Sequence, residues 1–146
     1  MLNNNDQSIA IAYCISDIAR YYRTCLDREM ADHGLTRSQW YLLLNLQYND
    51  GSSQQELAEL MEMGKSAVGK LIDQLEKKGW VQRKPNATDK RAYEIWLTRK
   101  VQPLIKDIDK QAHALIESSL TGLSERQRTQ FLKQLEGLKE RLSALQ

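Results

Sequence analysis

Basic residues cluster in one stretch of the chain, where their chemistry would be that of binding a polyanion. Residues 64–91 contain eight Lys or Arg residues and three Asp or Glu residues, a net charge of +5. The whole chain has 21 basic and 19 acidic residues, so the rest of it carries 13 and 16, a net charge of −3. A segregated basic patch of this kind is the electrostatic footprint of a phosphate-binding surface.

Two short helices are predicted to present the first part of this patch. Ser53 followed by Glu56 forms a capping box that predicts a helix start, and residues 62–64 predict the turn that ends this helix. From Lys65, apolar residues recur at helical spacing until Gly79, which suits the left-handed position beyond a helix end. Two helices joined by a short turn, the second with a small and basic outer face, are what a helix-turn-helix requires. Two amphipathic helices in any bundle would give the same pattern.

A basic hairpin is predicted directly after the second helix. Trp80–Arg83 and Ala92–Leu97 are strand candidates because they contain β-branched and aromatic residues. Residues 84–91 between them are polar, turn-forming and basic. A helix-turn-helix followed by a hairpin with a basic tip is a winged helix, and the tip favours DNA binding. A winged helix that only binds proteins should lack this basic tip.

The predicted DNA surface combines the second helix, the start of the first and the hairpin. Lys65, Ser66 and Lys70 lie on the outer face of the second helix, where a helix in the major groove meets base edges. The alternative for these lysines is a solvated charged face. Ser53 and Gln54 begin the preceding helix and could donate hydrogen bonds to phosphate. The candidates for DNA contact are Ser53, Gln54, Lys65, Ser66, Lys70, Lys84, Thr88, Lys90 and Arg91.

Long helices with apolar stripes are predicted on both sides of the winged helix. The first covers residues 8–32, and a capping box at Thr36 and Gln39 opens the next. Thr98 is predicted to cap a helix that runs to about Leu120, with a kink or a frayed start at Pro103. A capping box formed by Ser124 and Gln127 opens the last helix. The surplus apolar surface predicts a homodimer, with a monomer folded on itself as the alternative.

These patterns predict a mainly α fold with a small β-wing. We predict a winged helix-turn-helix DNA-binding domain at residues 36–98 and a helical dimerisation region at residues 1–35 and 99–146. The dimer would place two recognition helices about 34 Å apart, facing successive major grooves of a palindromic operator.

The hairpin resembles the wing of a known family of bacterial transcription regulators. Asp89-Lys90-Arg91, followed by Tyr93, Ile95, Leu97 and Thr98, is similar to the D-x-R…LT wing signature of the MarR family. Residues 75–79 fit the same family, and residues 98–105 most resemble its SlyA-type branch. The resemblance extends from Ile9 to Leu142. Glu62 departs from the pattern, because glycine is common in the turn of a helix-turn-helix.

The resemblance implies further site residues. It places Arg91 at the wing tip, in the minor groove, and we expect Asp89 to orient it by a charge-assisted hydrogen bond. Positions matching Arg20, Arg23, Ser38 and Trp40 line an effector pocket in SlyA-type relatives. Guanidinium groups suit a carboxylate and an indole suits an aromatic ring, which implies a small aromatic carboxylate or phenolic effector. The alternative is that the arginines pair with Asp17 or Asp27 and Trp40 belongs to the core.

The remaining residues exclude or leave open other functions. No nucleophile–base pair, metal-ligand cluster or nucleotide loop stands out, so neither an enzyme nor a metal or cofactor protein is predicted. No apolar run reaches the length of a membrane helix and no secretory signal is visible, so we expect a cytoplasmic protein. Cys14 and Cys25 are expected to be small buried hydrophobic residues, with a redox-sensing thiol as the alternative.

The sequence therefore predicts a sequence-specific regulator of transcription, a repressor that binds double-stranded DNA as a homodimer. A small aromatic acid or phenol is expected to relieve this binding. A redox-sensing regulator acting through Cys14 or Cys25, and a protein that binds nucleic acid without sequence preference, are the alternative functions. The last would show a steep salt dependence and no preferred sequence.

Overall fold

The structure is a computed structural model that describes residues 4–89 and 91–145. In this part of the chain no helix is both long and apolar enough to cross a membrane. The chain divides between Ala112 and His113 into two compact units. The elements in chain order are α1 (Asn4–Ala31), α2 (Arg37–Tyr48), β1 (Ser52–Ser53), α3 (Gln54–Leu60), α4 (Lys65–Lys77), β2 (Val81–Pro85), β3 (Tyr93–Leu97), a 3-10 turn (Arg99–Val101), α5 (Gln102–Ser119) and α6 (Glu125–Ser143).

Three helices begin at the capping boxes that the sequence predicts. In each, the cap hydroxyl accepts a hydrogen bond from the backbone N–H three residues later, and the side chain of that residue accepts one from the cap backbone N–H. The pairs are Thr36 with Gln39, Ser53 with Glu56, and Ser124 with Gln127. These local bonds fix where α2, α3 and α6 start, so their first residues were predicted correctly.

The sheet is antiparallel, with the strand order β1-β3-β2. The hairpin of β2 and β3 was predicted, but β1 was not, because two serines carry no strand signal. Ser52 pairs with Ile95 of β3. Beside it, Gly51 has a φ of +85°, and a Cβ built there would lie 2.6 Å from the Trp96 ring. Glycine at this position therefore lets the loop before β1 pack against the indole.

One hydrophobic core unites the winged helix with the end of α1 and the start of α5. Its fully buried side chains are Met30, Leu42, Leu43, Leu46, Leu57, Val68, Ile72, Leu75, Val81, Ile95 and Val101. Two polar links hold the same elements: His33 Nε2 lies 3.1 Å from Asp107 Oδ2, and Gln47 Nε2 donates to Asp109 Oδ2 at 2.5 Å. Residues of α4, of both wing strands and of the first half of α5 thus share one core.

The junction after the wing differs from the prediction. Thr98 does not cap a helix, because its hydroxyl donates to Gly79 O at 2.6 Å. The chain takes a 3-10 turn instead, which agrees with the predicted frayed start, and α5 begins only at Gln102. Pro103 therefore lies in the first helical turn, where its missing N–H costs no hydrogen bond.

Candidate nucleic-acid interface

The helix-turn-helix keeps its tight turn although glycine is absent from the left-handed position. The left-handed residue of the turn is Glu62, with a φ of +51°. The glycine of the turn, Gly64, has an ordinary φ of −64°. A non-glycine residue in this region carries some backbone strain. Met63 N–H donates to Ala58 O at 2.9 Å and closes the turn. The departure at Glu62 thus leaves the geometry of the motif intact.

Gln54 joins the two helices of the motif. Its Nε2 donates to Lys65 O at 2.9 Å, which connects the start of α3 to the start of α4. A Cβ built on Gly69 would lie 2.8 Å from the same nitrogen, so a larger residue there would require the amide to move. The side-chain amide of Gln54, a predicted phosphate donor, therefore makes one hydrogen bond within the protein. Ser53 likewise uses its hydroxyl as the α3 cap acceptor.

The outer face of α4 is solvent-exposed, as the sequence predicts for a recognition helix. Lys65, Ser66 and Lys70 are exposed, whereas Val68 and Ile72 on the inner face are fully buried. The exposed residues precede the middle of the helix. This is the part of a recognition helix whose side chains contact base edges in the major groove.

Arg83 fastens the base of the wing to α4. Its Nη1 donates to Glu76 Oε2 and its Nη2 to Asp73 Oδ1, both at 2.6 Å. The Arg83 backbone N–H also donates to Glu76 Oε1 at 3.2 Å. One planar guanidinium thereby joins two carboxylates one helical turn apart. The sequence counted Arg83 in the basic patch, but the structure uses its charge inside the protein.

Asn86 organises the wing tip, and sequence reasoning missed it. Its Oδ1 accepts from Thr88 N–H at 2.9 Å, from the Thr88 hydroxyl at 2.7 Å and from Asp89 N–H at 3.0 Å. Its Nδ2 donates to Glu94 Oε1 at 2.9 Å, and Trp96 Nε1 donates to Glu94 Oε2 at 3.0 Å. The turn preference of asparagine was the available signal. The link to Glu94 depends on the strand register and leaves no local trace.

Asp89 supports Arg91 through the backbone rather than through the guanidinium. Asp89 Oδ1 accepts from Arg91 N–H at 2.9 Å. No acceptor among the described residues is bonded to the Arg91 guanidinium, and Arg91 is exposed. The carboxylate meets the backbone N–H of Arg91 because a two-residue separation suits a turn of this kind. Lys90, a predicted DNA contact, lies outside the described residues.

The other wing candidates lie on the same hairpin. Lys84 is exposed, with its Nζ 4.8 Å from the centroid of the Trp96 ring. This cation–π contact holds the amine beside the strand. Thr88 is exposed at the tip, where its hydroxyl donates to Asn86. The hairpin therefore carries three exposed candidates, namely Lys84, Thr88 and Arg91.

The predicted effector residues occupy different environments. The Arg20 Nη2 donates to Asp17 Oδ1 at 2.7 Å, which raises the pKa of Arg20, and Arg23 is exposed. Trp40 is buried in the core, and Ser38 is half-buried at the start of α2. The Arg20 pair and the buried Trp40 are what the alternative without an effector predicts.

Asp27 connects α1 to the start of α2. Its carboxylate accepts from Arg37 Nε at 2.7 Å and from Trp40 Nε1 at 2.9 Å, and Arg37 Nη2 donates to it as well. The hydrogen bonds from Arg37 are the largest reason that the pKa of Asp27 lies below its usual range. Burial is the second-largest effect and raises the pKa, whereas the hydrogen bond from Trp40 and the charges of Arg37 and Arg23 lower it further. The indole N–H of Trp40 is therefore already satisfied within the protein.

Both cysteines are free thiols. Cys14 is exposed and Cys25 is partly buried, so the prediction of two buried hydrophobic residues was wrong for Cys14. The first half of α1 leaves the core, which a helical pattern by itself does not reveal. Among the described residues no three His, Cys, Asp or Glu side chains are grouped as a metal site would require.

Comparison with known proteins agrees with this architecture. The model of the MarR family matches residues 33–92. A MarR transcriptional regulator from Methanosarcina mazei Go1 is 26% identical, with a TM-score of 0.81, over 93% of this chain and 98% of that one. Transcriptional regulator PA3341 is 31% identical, with a TM-score of 0.80, and the match covers 92% of this chain and 98% of that one. The transcriptional regulator SlyA is 27% identical, with a TM-score of 0.72, and the match covers 92% of this chain and 94% of that one. The winged helix, the basic wing and these similarities together show that the chain belongs to the MarR family of transcriptional regulators.

Proposed function

We propose that this regulator is a repressor that binds a palindromic operator in double-stranded DNA as a homodimer. The observation that carries the proposal is the shared exposure of Lys65, Ser66 and Lys70 on α4 and of Arg91 on the adjoining wing. A helix in the major groove and a loop in the minor groove are the two elements by which a winged helix recognises DNA. We assign residues 36–98 as the DNA-binding domain.

The homodimer is supported by the apolar side chains that the chain exposes at both ends. Ile11 on α1 and Leu132 and Leu142 on α6 each have more than half of their surface exposed, at 56%, 57% and 55%. Apolar stripes of this kind along helices mark an interaction surface. A second copy of the chain is the simplest partner, because two-fold symmetry also repeats the recognition helix.

Relief by a small aromatic carboxylate or phenol belongs to the same proposal. It rests on Arg23, whose side chain is exposed, and on Arg20, one helical turn before it on α1. The carboxylate would have to displace Asp17 from Arg20. Titration calorimetry with salicylate tests this: wild type should bind it more tightly than Arg20→Ala and Arg23→Ala. Equal binding by all three proteins would remove both residues from the effector site.

The test of DNA recognition begins with selection of bound duplexes from a random pool at physiological salt. A palindromic consensus is expected. Affinity for the selected duplex and for a scrambled one is then measured at several salt concentrations. Lys70→Ala should lose affinity mainly for the selected duplex, by about 1–3 kcal/mol for a lost base contact. Ser66→Ala should alter preferences at the same bases.

Arg91→Ala provides the second half of this test. It should weaken binding to both duplexes and reduce the salt slope by about one unit if the guanidinium meets phosphate. If affinities and slopes are unchanged, the wing does not bind DNA and the proposal loses its main support. Selection that yields no consensus would favour the alternative of non-specific binding.

Redox sensing stays a separate prediction, now centred on Cys14, which is the more exposed thiol. Peroxide should then release wild type from DNA and leave Cys14→Ser bound. Release of both proteins alike would remove Cys14 from consideration.

A further inference from the structure

The wing tip is held by a chain of hydrogen bonds that leads away from the DNA-facing loop. It begins at Trp96, whose ring packs against Gly51, and passes through the Glu94 carboxylate to the Asn86 amide. Asn86 Oδ1 then accepts hydrogen bonds from the backbone N–H groups of Thr88 and Asp89. The loop is thus tied, through side chains of β3, to the segment between α2 and β1.

Without these hydrogen bonds, the same polar groups of the hairpin would have to bond to water. Asn86, Glu94 and Trp96 are all partly buried, whereas Thr88, Asp89 and Arg91 are exposed. The buried members are neutral or accept hydrogen bonds on both carboxylate oxygens. None of these three side chains carries a positive charge that could pair with a phosphate group. Their contribution to DNA binding must therefore pass through the exposed residues that they hold.

Arg91 is the exposed residue on which this order acts. The Asn86 amide fixes the backbone of Thr88 and Asp89, and the Asp89 carboxylate accepts from Arg91 N–H at 2.9 Å. A loop that is ordered before binding avoids the entropy cost of fixing its backbone on DNA. The guanidinium itself is bonded to no described acceptor, so it stays available to a ligand.

We propose that Asn86, held by Glu94 and Trp96, is the positioning residue of the wing and acts on DNA binding through Arg91 without contacting DNA. This inference rests on the proposed function, because it presumes that Arg91 binds DNA. It goes beyond that function by assigning the order of the wing to three side chains that carry no positive charge.

A double-mutant cycle on the full-length dimer tests the proposal, with the selected operator duplex as the probe. Asn86→Ala should weaken binding by about 5- to 30-fold, the factor for ordering roughly one residue. The salt slope should not change, because no charge is lost. In the Arg91→Ala background, Asn86→Ala should change affinity by less than about twofold, because the residue through which it acts is gone.

A polarity swap separates positioning from a general loss of folding. Asn86→Asp combined with Glu94→Gln keeps the Oδ1 acceptor and the total charge, and it reverses the donor and acceptor between the two side chains. The pair should recover most of the affinity that Asn86→Asp alone loses. Asn45→Ala is the matched control, since Asn45 donates to Tyr41 O on α2, away from the wing. It should leave DNA affinity unchanged.

The outcomes distinguish this inference from the proposed function. If Arg91→Ala weakens binding but Asn86→Ala has the same effect in both backgrounds, Asn86 does not act through Arg91 and only this inference fails. If Arg91→Ala has no effect, the wing is outside the interface and both fail. A direct readout without DNA is amide hydrogen exchange at Thr88 and Asp89. Equal exchange in wild type and Asn86→Ala would overturn the ordering of the tip.

Discussion

The winged helix and the terminal helices bury their apolar side chains to very different extents. Leu43 and Leu46 of α2 and Ile72 of α4 are fully buried within the chain, whereas Leu132 and Leu142 of α6 are more than half exposed. The polar groups do not differ in this way. Both regions contain capping boxes, and ion pairs join neighbouring helices at the start of α2 and near the start of α6. Local hydrogen bonding therefore shapes both regions, but only the winged helix completes its core within one chain.

This difference indicates what each region requires from its surroundings. A helix that exposes an apolar stripe gains little from its own fold and depends on a partner for burial. The winged helix needs no such partner for its core. The exposed residues in the first half of α4, namely Lys65, Ser66, Ala67 and Lys70, are basic or small.

The largest effect is expected from a charge placed on the α6 stripe. Leu132→Glu would bury an unpaired carboxylate in the proposed dimer interface, at a cost of several kcal/mol. The dimer should dissociate at micromolar concentration, as measured by sedimentation velocity. Deletion of residues 124–146 should leave a monomeric or unfolded chain. Gln134→Glu adds the same charge beside the stripe and should stay dimeric. A wild-type chain that is monomeric at micromolar concentration would show that the terminal helices do not need a second copy to cover their apolar stripes.

A core truncation in the winged helix should cost stability instead of assembly. Leu46→Ala removes a fully buried side chain and should destabilise the protein by about 2–5 kcal/mol. Leu60→Ala on α3, which is 45% exposed, should cost less than about 1 kcal/mol. Urea unfolding at one fixed protein concentration gives both values. Similar costs at the two positions would show that burial of apolar side chains within one chain does not set the stability of the winged helix.

Sequence reasoning succeeded where the signal is local. The capping boxes at Thr36, Ser53 and Ser124 set helix starts through bonds between residues three apart. The exposed face of α4 follows from helical period alone. Arg83 and Asn86 were missed as structural residues, because their partners are seven to ten residues away and depend on how the hairpin packs. A pattern along the chain does not contain that information.

The same reasoning explains the errors at α1 and Thr98. The apolar stripe of α1 continues past the point where the helix leaves the core, so exposed Cys14 was predicted as buried. Thr98 has the residue type of a cap, but its hydroxyl donates to Gly79 across the hairpin. Both errors concern which surface a side chain faces. Tertiary packing decides this, and residue type does not.

Arg83 offers a test inside the winged helix. Arg83→Ala should reduce stability by about 1 kcal/mol, because its side chain is only partly exposed and it leaves two carboxylates unpaired on α4. DNA affinity should fall as well, since Asp73 and Glu76 then repel phosphate. Arg83→Lys should recover little, because one amine does not span both carboxylates. Full recovery by lysine would mean that the charge matters and the fork geometry does not.

The smallest effects concern two carboxylates of the terminal helices with lowered pKa values, Asp27 on α1 and Glu117 on α5. Arg37 lowers the pKa of Asp27 by hydrogen bonding, and Arg128 does the same for Glu117. A lowered pKa means that the folded state binds fewer protons than the unfolded state as pH falls below the ordinary value of about 4. The stabilisation is complete above that value and is lost as pH falls through the folded pKa.

Asp27→Asn should therefore lower stability at pH 7 and flatten its decline in acid, as followed by urea unfolding between pH 7 and pH 3. Glu117→Gln should act in the same direction but less, because the Glu117 side chain is 47% exposed and that of Asp27 26%. Asp27 also accepts from the buried Trp40 indole, which would lose a charged acceptor. An acid profile changed more by Glu117→Gln would show that the ion pair at the start of α6 is worth more than its exposure suggests. The pair between α5 and α6 would then contribute more to stability than the pair that joins α1 to the winged helix.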